Sequence, residues 1–246
     1  MAAAFLAGGI NSVAGGGTLI TFPALMGLGL PAITANATST VAIWPGSLGS
    51  MWGFRRELAK VPRRMRLLAV PSVLGGLVGA WLLRSTPPGV FARMVPFLIL
   101  FATLLFTVQA PIQKRLRTIM GDGPRGPLWI TGATLGQLAV GVYGGYFGAG
   151  MSIMMLTALA FLGMEDILEM NAMTSFLSLC ANGVASVLFA ISHMVVWPYV
   201  LAMMAAALTG GWAAAGVARR IGKVAVRRFV IAVGLTIAAV LFVKMI

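Results

Sequence analysis

Apolar residues dominate this chain in long runs, and the polar residues between them gather in short clusters instead of alternating along amphipathic faces. The runs cover residues 1–14, 18–30, 36–54, 67–83 and 91–110, then 128–147, 150–163, 171–191, 198–217 and 229–246. Most approach the ~20 residues a helix needs to cross a bilayer core. The pattern predicts an all-α polytopic membrane protein, with residues 1–246 as a single transmembrane domain. Two runs are cut by glycine: Gly15, Gly16 and Gly17 divide the first, and Gly148 and Gly150 divide the segment near 128–163.

The order of elements repeats. A shift of 135 residues lays Asn36-Ala37 on Asn171-Ala172, Gly75-Gly76 on Gly210-Gly211, Ala80 on Ala215 and Arg84 on Arg219. With two residues' adjustment, Gly15 to Gly17 falls on Gly148 to Gly150. The expected organisation is a first repeat at 1–110, a basic cytoplasmic linker at 111–127 and a second repeat at 128–246.

Charge bears on orientation. Arg55, Arg56, Lys60, Arg63, Arg64 and Arg66 crowd one loop of the first repeat, while its counterpart, 192–197, offers only His193. The next loops reverse the bias: Arg84 stands alone in one, against Arg219, Arg220, Lys223, Arg227 and Arg228 in the other. Because Lys and Arg favour the cytoplasmic side, equivalent loops are expected on opposite sides, as in inverted-topology repeats. Each repeat then needs an odd number of crossings. Four membrane elements per repeat satisfy this if the first is broken or re-entrant and three full helices follow. Glu165, Asp166 and Glu169 would lie on the cytoplasmic side.

Composition agrees with a membrane protein: 59% hydrophobic residues, 9% charged and a mean hydropathy of +0.97. The net charge of +13 is expected to anchor loops at the membrane surface, so no nucleic-acid partner is expected. Met1 to Ala4 lack a basic lead, so the first run is expected to be a membrane element and not a cleaved signal. The single cysteine, Cys180, suggests packing.

Broken backbone at membrane depth is tolerated only where protein or a water-filled cavity surrounds it. The second arm after each break would start with free N–H groups at a helix N-terminus, which attracts anions. Thr18 and Ser152 sit there. The candidate substrate-binding set is therefore Gly15, Gly16, Gly17, Thr18, Gly148, Gly150 and Ser152, with Asn36, Thr38, Ser39, Asn171, Thr174 and Ser175 at the openings of the following segments. Thr40, Ser178, Ser47 and Asn182 could add neutral donors. Helix capping is the alternative for Asn36 and Asn171, close helix crossing for the glycines, and interhelical hydrogen bonding for Asn11, Ser12, Gln137 and Tyr143. Trp44-Pro45-Gly46 is expected to kink its helix.

All five acids, Glu57, Asp122, Glu165, Asp166 and Glu169, fall in loops or at segment edges. That disfavours obligate proton or sodium coupling. An anion leaving a cell that is negative inside gains ~2.3 kcal/mol per charge per 100 mV, so export is expected over uptake. No catalytic residue, metal or cofactor is expected.

The stretches GGINSVAGGGTLITFPALMGLGLP and ANATSTVAIWPGSLGS, followed by YGGYFGAGMSIMMLTAL and MNAMTSFLS, resemble the TauE/SafE family of sulfite and organosulfonate exporters. The resemblance implies a multi-pass permease of the inner membrane for small sulfur oxyanions. The glycine breaks at 15–17 and 148–150, Asn36, Thr38 and Asn171 are the family-like positions. The expected partners are a small anion and membrane lipid, with a homo-oligomer left open. A passive anion channel is the rival within transport. An intramembrane protease would need Ser152, in Gly150-Met151-Ser152, beside His193.

Overall fold

The structure is a computed structural model that describes residues 1–14, 17–119, 127–164, 166–221 and 223–245. Gly15, Gly16, Asp122 and Glu165 therefore lie outside the described residues. Twelve helices make up the described fold: α1 (Ala2–Ala14), α2 (Thr18–Gly27), α3 (Ala32–Gly53), α4 (Arg55–Lys60), α5 (Arg63–Arg66), α6 (Ala69–Ser85), α7 (Pro88–Ile119), α8 (Pro127–Tyr146), α9 (Met151–Phe161), α10 (Ile167–Ile191), α11 (Trp197–Ile221) and α12 (Lys223–Met245).

Among the described residues three stretches are long and apolar enough to cross a membrane, Arg63–Ser85, Pro88–Val108 and Ile167–Ile191. Thr18–Gly27, Met151–Phe161, Trp197–Gly210 and Arg228–Val243 are shorter apolar helical stretches. Large apolar side chains stay exposed along the bundle, including Leu74, Leu77 and Trp81 of α6, Phe97, Phe101 and Leu104 of α7, and Leu201 and Leu208 of α11. Such a surface suits lipid, where exposed hydrocarbon carries no hydrophobic cost.

Small residues decide which helices touch. α6 lies along α8, and α1 along α11. In the first seam a Cβ on Gly75 would strike the Leu138 carbonyl, and one on Gly79 the Val142 carbonyl. The second seam is built alike, with Gly210 against Phe5 and Gly8 against Ala207. Helix backbones approach this closely in membranes only where the side chain is missing or small. At the bundle's centre, α3 crosses α10, and the Trp44 indole Nε1 donates to the Leu179 carbonyl at 3.1 Å. The two helices run antiparallel: Thr38 meets Val196 just beyond the end of α10, while Ser50 and Thr174 line one cavity.

Several boundaries differ from the sequence expectation, each for a local reason. α10 starts at Ile167, not at Asn171, because Asp166 caps it: its side chain accepts from the N–H groups of Leu168 at 2.7 Å and Glu169 at 3.2 Å. Asp166 with Glu169 three residues later is a capping-box pattern. α3 likewise begins at Ala32, after Pro31, so Asn36 is one turn inside its helix and caps nothing. The basic loop is itself helical, as α4 and α5. Arg66 Nη2 reaches back to the carbonyls of Leu58 and Ala59 at 2.8 and 3.0 Å, placing a cation on the C-terminal end of α4. α7 runs on to Ile119, into the segment expected as linker.

Candidate functional site

The second glycine break is a built turn. Gly148 and Gly150 both have φ of +78°, a left-handed conformation that costs an L side chain roughly 1–2 kcal/mol. Tyr143 locks the turn by donating its hydroxyl to the Ala149 carbonyl at 2.6 Å. Phe147 packs edge-on against Phe22 of α2, with ring centroids 5.4 Å apart. Gly150 faces Ala102 of α7.

In front of this turn lies a cavity of about 80 Å³. Four elements line it: Thr18 at the start of α2; Thr40, Ile43, Trp44, Ser47 and Ser50 of α3; Gly148, Met151 and Ser152 around the start of α9; and Thr174, Ser175, Ser178 and Asn182 of α10. Among the described residues no charged side chain and no histidine or cysteine borders it. The volume exceeds the ~10–15 Å³ that a single water needs and suits an ion of a few heavy atoms.

The polar groups differ in what they can offer a ligand. Thr40 donates its hydroxyl proton to the Asn36 carbonyl at 2.9 Å and Ser50 to Gly46 at 3.2 Å, so both are spent on their own helix. Ser178 leans on the Met155 sulfur at 3.4 Å. Among the described residues the hydroxyls of Thr18, Ser47, Ser152 and Ser175 make no hydrogen bond, and the buried Thr174 Oγ1 and Asn182 Oδ1 have no partner. A buried polar group left alone costs about 1–3 kcal/mol. The hydroxyls among these neutral groups are a ready donor set for an anion, while Asn182 Oδ1 can only accept.

Of the residues singled out in the sequence, Thr18, Gly148, Ser152, Thr174 and Ser175 meet in this cavity, as do Ser47, Ser178 and Asn182. Asn36, Thr38 and Ser39 are buried beside it and engaged elsewhere. Asn36 Nδ2 donates to the Tyr146 carbonyl at 3.0 Å, Thr38 Oγ1 accepts from the Val196 N–H at 3.1 Å, and the Ser39 and Thr21 hydroxyls pair at 2.6 Å. The Gly17 carbonyl accepts from Thr21 Oγ1 at 3.2 Å. Asn171 is half-buried in the first turns of α10 and does not border the cavity. Gln137 bridges helices by donating to Ser72 Oγ at 2.8 Å. His193 is exposed at the turn after α10, with φ of 54°, whereas Ser152 faces the cavity.

Ile43, Trp44, Ser50 and Met151 join the site unforeseen, whereas Thr40 was among the hydroxyls expected there. A signal for them exists: Thr40, Trp44 and Ser47 follow helical spacing on α3, as Thr174, Ser178 and Asn182 do on α10, so each set forms one face.

Comparisons with known proteins place this architecture. The family model described as "Sulfite exporter TauE/SafE" matches residues 1–241. A probable membrane transporter protein of Haemophilus influenzae is 29% identical over 230 residues, covering 92% of this chain and 87% of its own length. A probable membrane transporter protein, ORF9, of a Sinorhizobium species is 30% identical over 82% of this chain and 75% of its own. The probable membrane transporter protein YfcA of Escherichia coli K12 is 27% identical over 79% of this chain and 70% of its own. No solved structure matches. An all-helical, lipid-suited bundle around a neutral polar cavity, with a family match along nearly its whole length, makes the chain a membrane transporter of the TauE/SafE family.

Proposed function

We propose that the chain exports a small sulfur oxyanion, sulfite or a small organosulfonate, across the inner membrane through the cavity between two inverted repeats. The observation that carries this reading is the cavity's lining. Thr18 and Ser152, from the first turns after the two glycine breaks, border one space with unengaged hydroxyls of α3 and α10. Two helix N-termini and neutral donors can hold an anion without a buried cation, and a site without counter-charge releases it readily. Neutral donors also favour a monoanion, since the desolvation cost of an ion grows with the square of its charge.

Helix pairing supports the repeats. The contact of Gly75 with Leu138 recurs as Gly210 with Phe5, and that of Gly141 with Ser72 recurs as Gly8 with Ala207. In both cases the matching residues of the two contacts stand apart by the 135 and 133 residues at which the sequence aligns with itself. Trp44 and Leu179, joined at the centre, are also 135 residues apart. The α8–α9 hairpin supports a re-entrant element: α8 runs beside α6, and α9 turns back at Gly148.

The test is sulfite efflux from proteoliposomes at a set potassium-diffusion potential with no proton or sodium gradient. The expected result is saturable flux that follows voltage, with sulfate carried at least tenfold more slowly. Flux only under a proton or sodium gradient would overturn the uncoupled mechanism, and no flux under any gradient would overturn the substrate.

A further inference from the structure

The cavity is lopsided about its own centre. Trp44 and Leu179, which occupy the same position in the two halves, mark the crossing of α3 and α10. Ser39 and Thr174 are likewise equivalent, each five residues before its member of that pair. Because the helices are antiparallel, these two residues stand on opposite sides of the crossing, each ~7.5 Å away along its axis. The cavity extends to Thr174 and Ser50, but it does not reach Ser39 or Ala185, both fully buried.

Hydrogen bonding follows the same division. On the Ser39 side, the Ser39 hydroxyl pairs with Thr21 of α2, Thr38 holds the Val196 N–H and Asn36 holds the Tyr146 carbonyl. On the other side, Thr174 Oγ1 has no partner. That unclosed side leads toward the basic α4–α5 segment, where α4 packs on α10; the closed side leads toward the uncharged 192–197 turn.

We propose that the Thr21–Ser39 hydroxyl pair, backed by Thr38 and Val196, is the outer gate of the transporter, and that the structure is its inward-open state. Transport then requires this pair to part while the Thr174 side closes on the α9 hairpin. A gate of neutral hydroxyls suits a site in lipid, because parting two hydroxyls strands no charge in a medium of low dielectric constant. The proposal rests on the transport reading above and deepens it, since a passive pore needs no such alternation.

The experiment joins the two hydroxyl positions covalently. In a Cys180→Ala background, the Thr21→Cys/Ser39→Cys double variant is reconstituted and treated with diamide. The two thiols lose two electrons and two protons to the diamide, which becomes the hydrazide, and a disulfide forms; mass spectrometry verifies it. Taking the reduced variant's sulfite flux as reference, the expected result is at least a tenfold loss on oxidation, restored by dithiothreitol. Undiminished flux through the verified disulfide would overturn the gate. A second readout is independent of flux. In single-cysteine variants of the resting protein, Ser50→Cys, half-buried on the Thr174 side of the cavity, should react with a small charged methanethiosulfonate reagent at least tenfold faster than Ser39→Cys, and equal rates would overturn the proposal. If the reduced variant and the parent carry no anion while this labelling difference holds, the substrate reading fails and the gate stands.

Discussion

Ser39 and Thr174 lie 135 residues apart, each five residues before one partner of the Trp44–Leu179 bond, and have opposite surroundings. Ser39 is fully buried and bonded to Thr21; Thr174 borders the cavity with its hydroxyl unpartnered. Their neighbours differ in the same sense, since Thr38 is held by the Val196 N–H and Met173, which precedes Thr174, is buried apolar core. Residue type alone does not decide whether a hydroxyl closes a helix crossing or faces a ligand. The decision comes from which end of the crossing is packed.

The largest effect of breaking this contrast is expected at Thr38. Thr38→Val would leave the Val196 N–H without its acceptor, at about 1–3 kcal/mol. Thermal unfolding in detergent should show it as a fall in Tm of roughly 2–4 °C per kcal/mol for a chain of this size. Thr38→Ser should remain within ~1 °C of wild type on the same scale, and a stable Thr38→Val would dissolve the contrast. Ser39→Ala comes next, with an expected loss of about 0.5–1.5 kcal/mol for one neutral hydrogen bond, read in the same assay.

Thr174→Val should do the reverse. No partner is lost, so Tm is expected to hold or rise slightly, whereas the KM for sulfite should increase roughly 2- to 10-fold if the hydroxyl contributes one neutral hydrogen bond to the anion. A fall in Tm with unchanged KM would make Thr174 a packing residue like Ser39. The smallest change is expected for Thr40→Val. Its proton is already bound to the Asn36 carbonyl, so flux should stay within about twofold, the effect of less than ~0.5 kcal/mol.

Much of the helix order was legible because membrane-length apolar runs leave few alternatives. The family was legible too, from the motifs around both glycine breaks. Helix starts were less so. Asn36 and Asn171 looked like caps because Asn favours that place, yet Pro31 and Asp166 precede the first turns. The helices α4 and α5, of six and four residues, are too short for any periodicity to register. Within the candidate site, sequence could name hydroxyls near the breaks but not sort those spent on backbone from those left free. Thr40 and Ser175, both in the cavity lining, illustrate this: one bonds its own helix and the other makes no bond among the described residues.

The link between Trp44 and Leu179 carries a consequence for ancestry. Under the proposed duplication, a single-unit ancestor would have met itself at this crossing with the same side chain on both sides of a two-fold axis. An indole donating to a backbone carbonyl is not symmetric: one side gives the ring and the other gives only main chain, and a second indole would compete for the same space. Under the same duplication, one position then became the key and the other the lock once the two halves could differ in sequence. The bond at this crossing is therefore a trait of unlike halves, out of reach of two identical ones.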